Sequence, residues 1–206
     1  MRHSSLSRST GLHRLLWALV WALPLSAAAH TGVDGHAHPG SLTGVFHPLT
    51  GLDHLAAIVS VGLWSALAAR RAGPELLWGP LGFAGMLLVG AGLGLRGIPI
   101  PAVEPMIAAS LLVTGLLVIT RWRVPGIAAA LLVGVFALFH GLAHGYELAD
   151  SASAVATLAG MFTATVLLHV TGLGLGWALR HSSVWLPRIA GAGVAVFGVT
   201  LLAQLA

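Results

Sequence analysis

A chain of 206 residues that is 57% hydrophobic and only 8% charged stands far from soluble domains, where about a quarter of residues are charged. With a mean hydropathy of +0.91 it reads as an all-α integral membrane protein, long enough for one compact bundle and too short for an added soluble domain. The net charge of +4 forms no basic face, so no nucleic-acid partner is expected. The absence of cysteine removes thiolate metal sites, disulfides and thiol redox chemistry together. All ten cations are arginine, and histidine is the anomaly, with eleven against six acidic residues.

Residues 1–29 read as a cleavable signal peptide. Arg2, Arg8 and Arg14 make a positive start, Leu15 to Leu25 an apolar core, and Ala27-Ala28-Ala29 a small-residue cleavage site. Residues 30–41 then form a periplasmic tail containing His30, His36 and His38, which could collect metal. Residues 42–206 carry six apolar spans separated by Arg, Pro and Gly. They run roughly Leu42–Ala69, Leu76–Leu95, Val103–Thr120, Val124–Tyr146, Ala154–Leu179 and Val184–Leu205, a six-helix transmembrane bundle.

Arg70, Arg71, Arg121, Arg123, Arg180 and Arg188 fall in alternate loops, whereas the opposite loops hold only Arg96. The positive-inside rule puts the Arg-rich side in the cytoplasm and both mature termini in the periplasm of a bacterial inner membrane. Small residues crowd the spans, as expected where helices pack in lipid by close backbone approach. No glycine cluster is followed by the lysine of a phosphate-binding loop, which counts against an ATP-driven pump.

The polar anomalies concentrate in two stretches. In the first, His47, Asp53 and His54 lie within eight residues at the mouth of an apolar span. His47 and His54 share a helix face but stand about 10 Å apart along an unbroken helix. They can meet one ion only if the chain unwinds near Pro48 or Gly51; successive stations along a path would also fit. Asp53 either ligates directly or orients one of these imidazoles. In the second stretch His140, His144 and Glu147 follow i, i+4, i+7 spacing on one helix face, and the i, i+3 pair can reach one ion.

The orientation set by arginine brings both stretches to the periplasmic face, where Glu104 opens the third span. Glu104 there serves as a ligand or offsets the helix dipole. His169 stands apart, near mid-span in the fifth helix, where a conduction path could pass or the ring could simply pack with its own hydrogen bond. Phe46-His47-x-Leu49 echoes Phe139-His140-x-Leu142, as two inverted three-helix halves would require. Imidazole with carboxylate suits Ni²⁺, Zn²⁺, Co²⁺ or Cu²⁺, while absent Cys and sparse Met argue against Cu⁺.

His47-x5-Asp53-His54, continuing through Val61-Gly62-Leu63-Trp64, resembles the first-span signature of the HupE/UreJ hydrogenase/urease accessory proteins. Phe139-His140-Gly141-x-Ala143-His144-Gly145-x-Glu147 resembles that family's fourth-span signature, and span count, export signal and motif order agree along the mature chain. Ile58 stands where a methionine is expected four residues after the Asp-His pair, which argues against Met coordination there. The resemblance implies nickel permeation, with a functional link to hydrogenase or urease maturation proteins. It also implies roles for His47, Asp53, His54, Glu104, His144 and Glu147, and for the aromatic ring of Phe83.

The expectation is a secondary transporter and not an enzyme, with Ni²⁺ as transported substrate and Zn²⁺ or Co²⁺ able to use the same donors. The expected metal residues are His47, Asp53, His54, Glu104, His140, His144 and Glu147. An intramembrane zinc hydrolase, with three histidines, an acid and an open water position, is the alternative from another class. A membrane metal sensor or chaperone is a third.

Overall fold

The computed structural model describes residues 40–181 and 184–206. The expected signal peptide and the tail as far as Pro39, with His30, His36 and His38, lie outside the described residues. Among these, all regular structure is helical. In chain order the helices are α1 (Ser41–Thr50), α2 (Leu52–Ala68), α3 (Trp78–Leu95), α4 (Val103–Thr120), α5 (Gly126–Glu147), α6 (Ala154–Leu179) and α7 (Trp185–Gln204), with a 3-10 turn at Pro74–Leu76. Helices α3 to α7 are each long and apolar enough to cross a membrane.

The first apolar stretch departs from the continuous helix expected over Leu42–Ala69. It is α1 and α2, bent by 82° and able to cross only if taken together. The cause is local chemistry. Pro48 has no N–H to offer the Gly44 carbonyl. Gly51 leaves helical geometry at φ −78° and ψ 104°. The Thr50 hydroxyl lies 3.0 Å from the His47 carbonyl, which also accepts the Gly51 N–H at 3.1 Å, and 3.3 Å from that of Phe46, so it reinforces the last turn before the break. A Cβ on Gly51 would sit 3.2 Å from Asp53 Oδ1 and 3.5 Å from His54 Nδ1, so a side chain there would press on that pair.

The other boundaries shift by a residue or two. α3 starts at Trp78 because Pro74–Leu76 wind as a 3-10 turn. α5 starts after Pro125, since the residue before a proline disfavours the helical region.

Glycines then decide which helices pair. Gly90 meets the Leu138 carbonyl, Gly141 that of Leu87 and Gly145 that of Ala91, so α3 and α5 run parallel with their backbones in contact. Gly62 and Gly172 join α2 to α6 in the same way. Gly115 against Gly191 and Gly198 against Ala108 bind α4 to α7 in antiparallel sense. α1 crosses the start of α6 where Gly44 and Gly160 approach.

Arginine and tryptophan gather at one end. Arg123 Nε donates to the Ala68 carbonyl at 2.9 Å, and Arg180 donates to the Ala69 and Arg70 carbonyls at 3.0 and 3.2 Å. They complete the orphan carbonyls of α2 and lie at the favourable end of its dipole. Trp78, Trp122, Trp177 and Trp185 are exposed at the same end, as in the aromatic belt of a membrane interface.

Two glycines two residues apart test the packing rule. Gly90→Ala drives a methyl into the Leu138 carbonyl and should destabilise the bundle by about 1–3 kcal/mol. Gly92→Ala adds a methyl to open space and should be neutral or slightly stabilising. Thermal unfolding in detergent separates the two outcomes, and equal melting temperatures would contradict the assignment.

Candidate metal centre

The end opposite Arg123 and Arg180 holds the histidine cluster. The last turn of α5 carries His144 and Glu147, and the bend at Gly51 turns His47 toward them. His144 Nδ1 and His47 Nε2 lie 3.5 and 3.7 Å from the same oxygen, Glu147 Oε2. One donor atom from each of His47, His144 and Glu147 falls within 4.8 Å of the others, close enough to hold one ion. The His47 and Glu147 side chains keep 33% and 38% of their surface exposed, whereas His144 keeps 1%. This three-residue group is open on one side and buried on the other.

Behind it the imidazoles continue inward. The His47 ring centroid lies 5.0 Å from that of His144, His144 lies 4.4 Å from His54, and His54 lies 4.7 Å from His140. The His47 and His54 rings are 6.4 Å apart, well under the separation an unbroken helix imposes. Phe83, fully buried on α3, stands 5.6 Å from His140 and 5.3 Å from His169. Five imidazoles and one phenyl ring thus form a continuous series from the surface to mid-bundle.

The neighbours of three of these rings bear on which nitrogen carries the proton. Asp53 Oδ1 lies 3.1 Å from His54 Nδ1 and accepts its N–H, which in the neutral imidazole leaves the lone pair on Nε2. The Ser110 hydroxyl donates to the Ile107 carbonyl at 2.6 Å. Its one proton is therefore committed, and it accepts from His140 Nε2–H at 3.0 Å, which leaves the His140 lone pair on Nδ1. His169 donates Nδ1–H to the Thr165 carbonyl at 2.9 Å, so its lone pair is on Nε2. A metal-ligating histidine is ordinarily oriented this way, by an acceptor on its second nitrogen.

The expected residues do not all converge. Asp53 contacts His54 and lies outside the His47–His144–Glu147 group. Glu104, in the first turn of α4, is at the same end but has no hydrogen bond or ion pair among the described residues. It stands six residues before Ser110, about 9 Å along the helix. The echo between Phe46-His47 and Phe139-His140 is not the mark of inverted halves. Inverted halves would set the two motifs at opposite depths, whereas both lie in one ring series. Ser110 was missed by sequence reasoning; its only signal is a hydroxyl among apolar residues on the buried face of α4.

Comparison with known proteins agrees with the motifs. The family described as HupE / UreJ protein matches residues 18–201. A curated relative named "Protein HupE", from Rhizobium leguminosarum bv. viciae, is 42% identical over 184 residues, covering 88% of this chain and 93% of that protein. No solved structure matches the chain.

The Ser110 hydroxyl provides a direct test of the proton assignments. In ¹⁵N-histidine spectra, His54 and His169 are expected with the proton on Nδ1 and His140 with it on Nε2. Ser110→Thr should preserve the His140 signal, and Ser110→Ala should convert it to a mixture of tautomers. A wild-type His140 protonated on Nδ1 would contradict the Ser110 geometry.

Proposed function

The chain belongs to the HupE/UreJ family, and on that premise we propose that it takes up divalent nickel across the bacterial inner membrane for hydrogenase or urease metallocentre assembly. The observation that carries this reading is the ring series, which begins at partly exposed donors and continues into buried ones. A single catalytic zinc uses three protein ligands and a water. A succession of imidazoles longer than any one such site favours passage over hydrolysis.

In this reading residues 1–29 are the signal peptide, 30–41 a periplasmic tail and 42–206 the permease domain. The bent α1–α2 pair counts as one span and makes six. The histidine end faces the periplasm, and the Arg–Trp end faces the cytoplasm. Glu104 adds negative potential at the mouth, where it draws hydrated cations. His47, His144 and Glu147 exchange the ion's waters for imidazole and carboxylate. Asp53 holds His54 in its ligating tautomer and adds negative charge beside it, and His140 presents Nδ1 next in line. Zn²⁺ and Co²⁺ suit the same donors, so the preference for nickel rests on the family. Hydrogenase or urease maturation proteins would take the metal on the cytoplasmic side.

Uptake of radiolabelled nickel by cells expressing wild type, Asp53→Asn or His144→Ala at matched membrane levels tests this. Both variants should lose uptake by about 10–100-fold, the usual cost of disturbing a metal ligand or its orienting partner. Equal uptake by all three would contradict a transport site built across α2 and α5. A second expectation concerns driving force. Collapsing the membrane potential with valinomycin and potassium should abolish accumulation, because 100 mV is worth about 4.6 kcal/mol for a divalent ion. Undiminished accumulation would require a coupling ion.

A further inference from the structure

Among the described residues, His169 is the buried imidazole to which the transport path proposed above gives no part. It lies in the middle of α6 and is 3% exposed. Its Nδ1 is committed to the Thr165 carbonyl, while Nε2 has no hydrogen-bond partner among the described residues. A buried polar atom without a partner destabilises a fold, and a leucine would fill the space without that loss. The ring is also held in orientation by its own helix, which a packing role does not need.

Its surroundings place it between the ring series and a helix seam that leads toward the arginine end. On one side Phe83 is the single ring separating it from His140. On the other side the His169 backbone lies against Gly62 of α2. One turn further along α2, Trp64 and Ser65 line a cavity of about 230 Å³ at the arginine end, near Arg70, Glu75 and Arg123. Gly79 lines the same cavity one turn from Phe83 on α3. Trp64 donates Nε1–H to the Trp122 carbonyl at 2.9 Å, which fixes its ring at the lining of the cavity.

The geometry points to His169 as a second, inner ligand station for a divalent cation, which accepts the ion through Nε2 once it has passed Phe83 and precedes its release into the cavity at the arginine end. The inference rests on the transport reading above and assigns it an interior step. The donor is a neutral imidazole with no carboxylate bonded to it among the described residues, so the station holds an ion less firmly than the mouth, where Glu147 contributes charge.

The test uses the full chain, purified and in proteoliposomes, as wild type, His169→Ala and His169→Cys, with Ni²⁺ and Cd²⁺ as probes. By equilibrium dialysis at saturation, His169→Ala should bind one Ni²⁺ fewer per chain than wild type. Its uptake should lose at least about tenfold in kcat with KM little changed, because the ligands at the mouth are untouched. His169→Cys should raise the ratio of Cd²⁺ to Ni²⁺ uptake by about tenfold or more, since thiolate favours the softer ion. A side chain that only packs would leave that ratio unmoved. Wild-type stoichiometry in His169→Ala, or an unchanged metal ratio in His169→Cys, overturns the station. If His169→Ala does not elute as a folded species, the metal ratio of His169→Cys decides alone. If the wild type binds nickel but moves none, the transport reading falls, and the stoichiometry still judges His169 on its own.

Discussion

The 82° turn at Gly51 is the constraint on which the polar end of the molecule depends. An intact helix would keep His47 and His54 about 10 Å apart and point both along one line. The turn brings their rings to 6.4 Å and lets His47 reach Glu147 on a helix almost a hundred residues away in sequence. Neither Pro48 nor Gly51 suffices to set the angle. α1 is also held across the start of α6 by the approach of Gly44 and Gly160, so the bend is fixed by tertiary packing as well as by its own residues. The absence of a side chain at Gly51 leaves room for the Asp53–His54 pair beside the break.

Polar atoms inside an apolar bundle need partners, and the partners here also select chemistry. Asp53, the Ser110 hydroxyl and the Thr165 carbonyl each fix one nitrogen of a buried imidazole. The same contacts that lower the cost of burial leave the other nitrogen as a lone-pair donor. The glycine contacts contribute at a larger scale. Because α3 and α5 touch backbone to backbone, and α2 and α6 do likewise, rings projecting from α2, α3, α5 and α6 meet within 4.4–5.6 Å without spacer residues. Small residues and histidines are thus two parts of one design: the first bring helices close, and the second occupy the seam.

Much of this was legible in one dimension. The bounds of α4 and α6 coincide with the apolar stretches Val103–Thr120 and Ala154–Leu179, because charged or proline-containing segments end the runs abruptly. The i, i+4, i+7 spacing put His140, His144 and Glu147 on one face, since helical periodicity is all that such a statement needs. Gly51 was readable as a place where the chain could unwind, but not its angle, which depends on α6. Ser110 was invisible because a lone serine in a membrane helix ordinarily bonds its own backbone; its second bond, to His140, exists only through the contact of α4 with α5. Glu104 shows the reverse. An acid opening a helix satisfies both a ligand reading and a dipole reading, and only distance separates them. Glu104 lies in the first turn of α4 and is not among the three residues that converge at His47, His144 and Glu147.

The distribution of charge along the ring series has a mechanical consequence. Carboxylates flank its outer part, at Glu147 and Asp53, whereas His140 and His169 have a hydroxyl and a carbonyl as neighbours. If the series conducts a divalent ion inward, as proposed, that ion would exchange anionic neighbours for neutral ones and lose electrostatic stabilisation on the way. In the transport reading the membrane potential opposes that loss, at about 4.6 kcal/mol per 100 mV for a doubly charged ion crossing the whole field. The gradient of ligand charge and the electrical gradient then act in opposite senses along the same path. In that reading the opposition of the two gradients would keep any one station from becoming a trap, the condition for conduction through a series of binding sites. A uniformly acidic series would bind more tightly and release more slowly; neutral imidazoles in the inner half are what release requires.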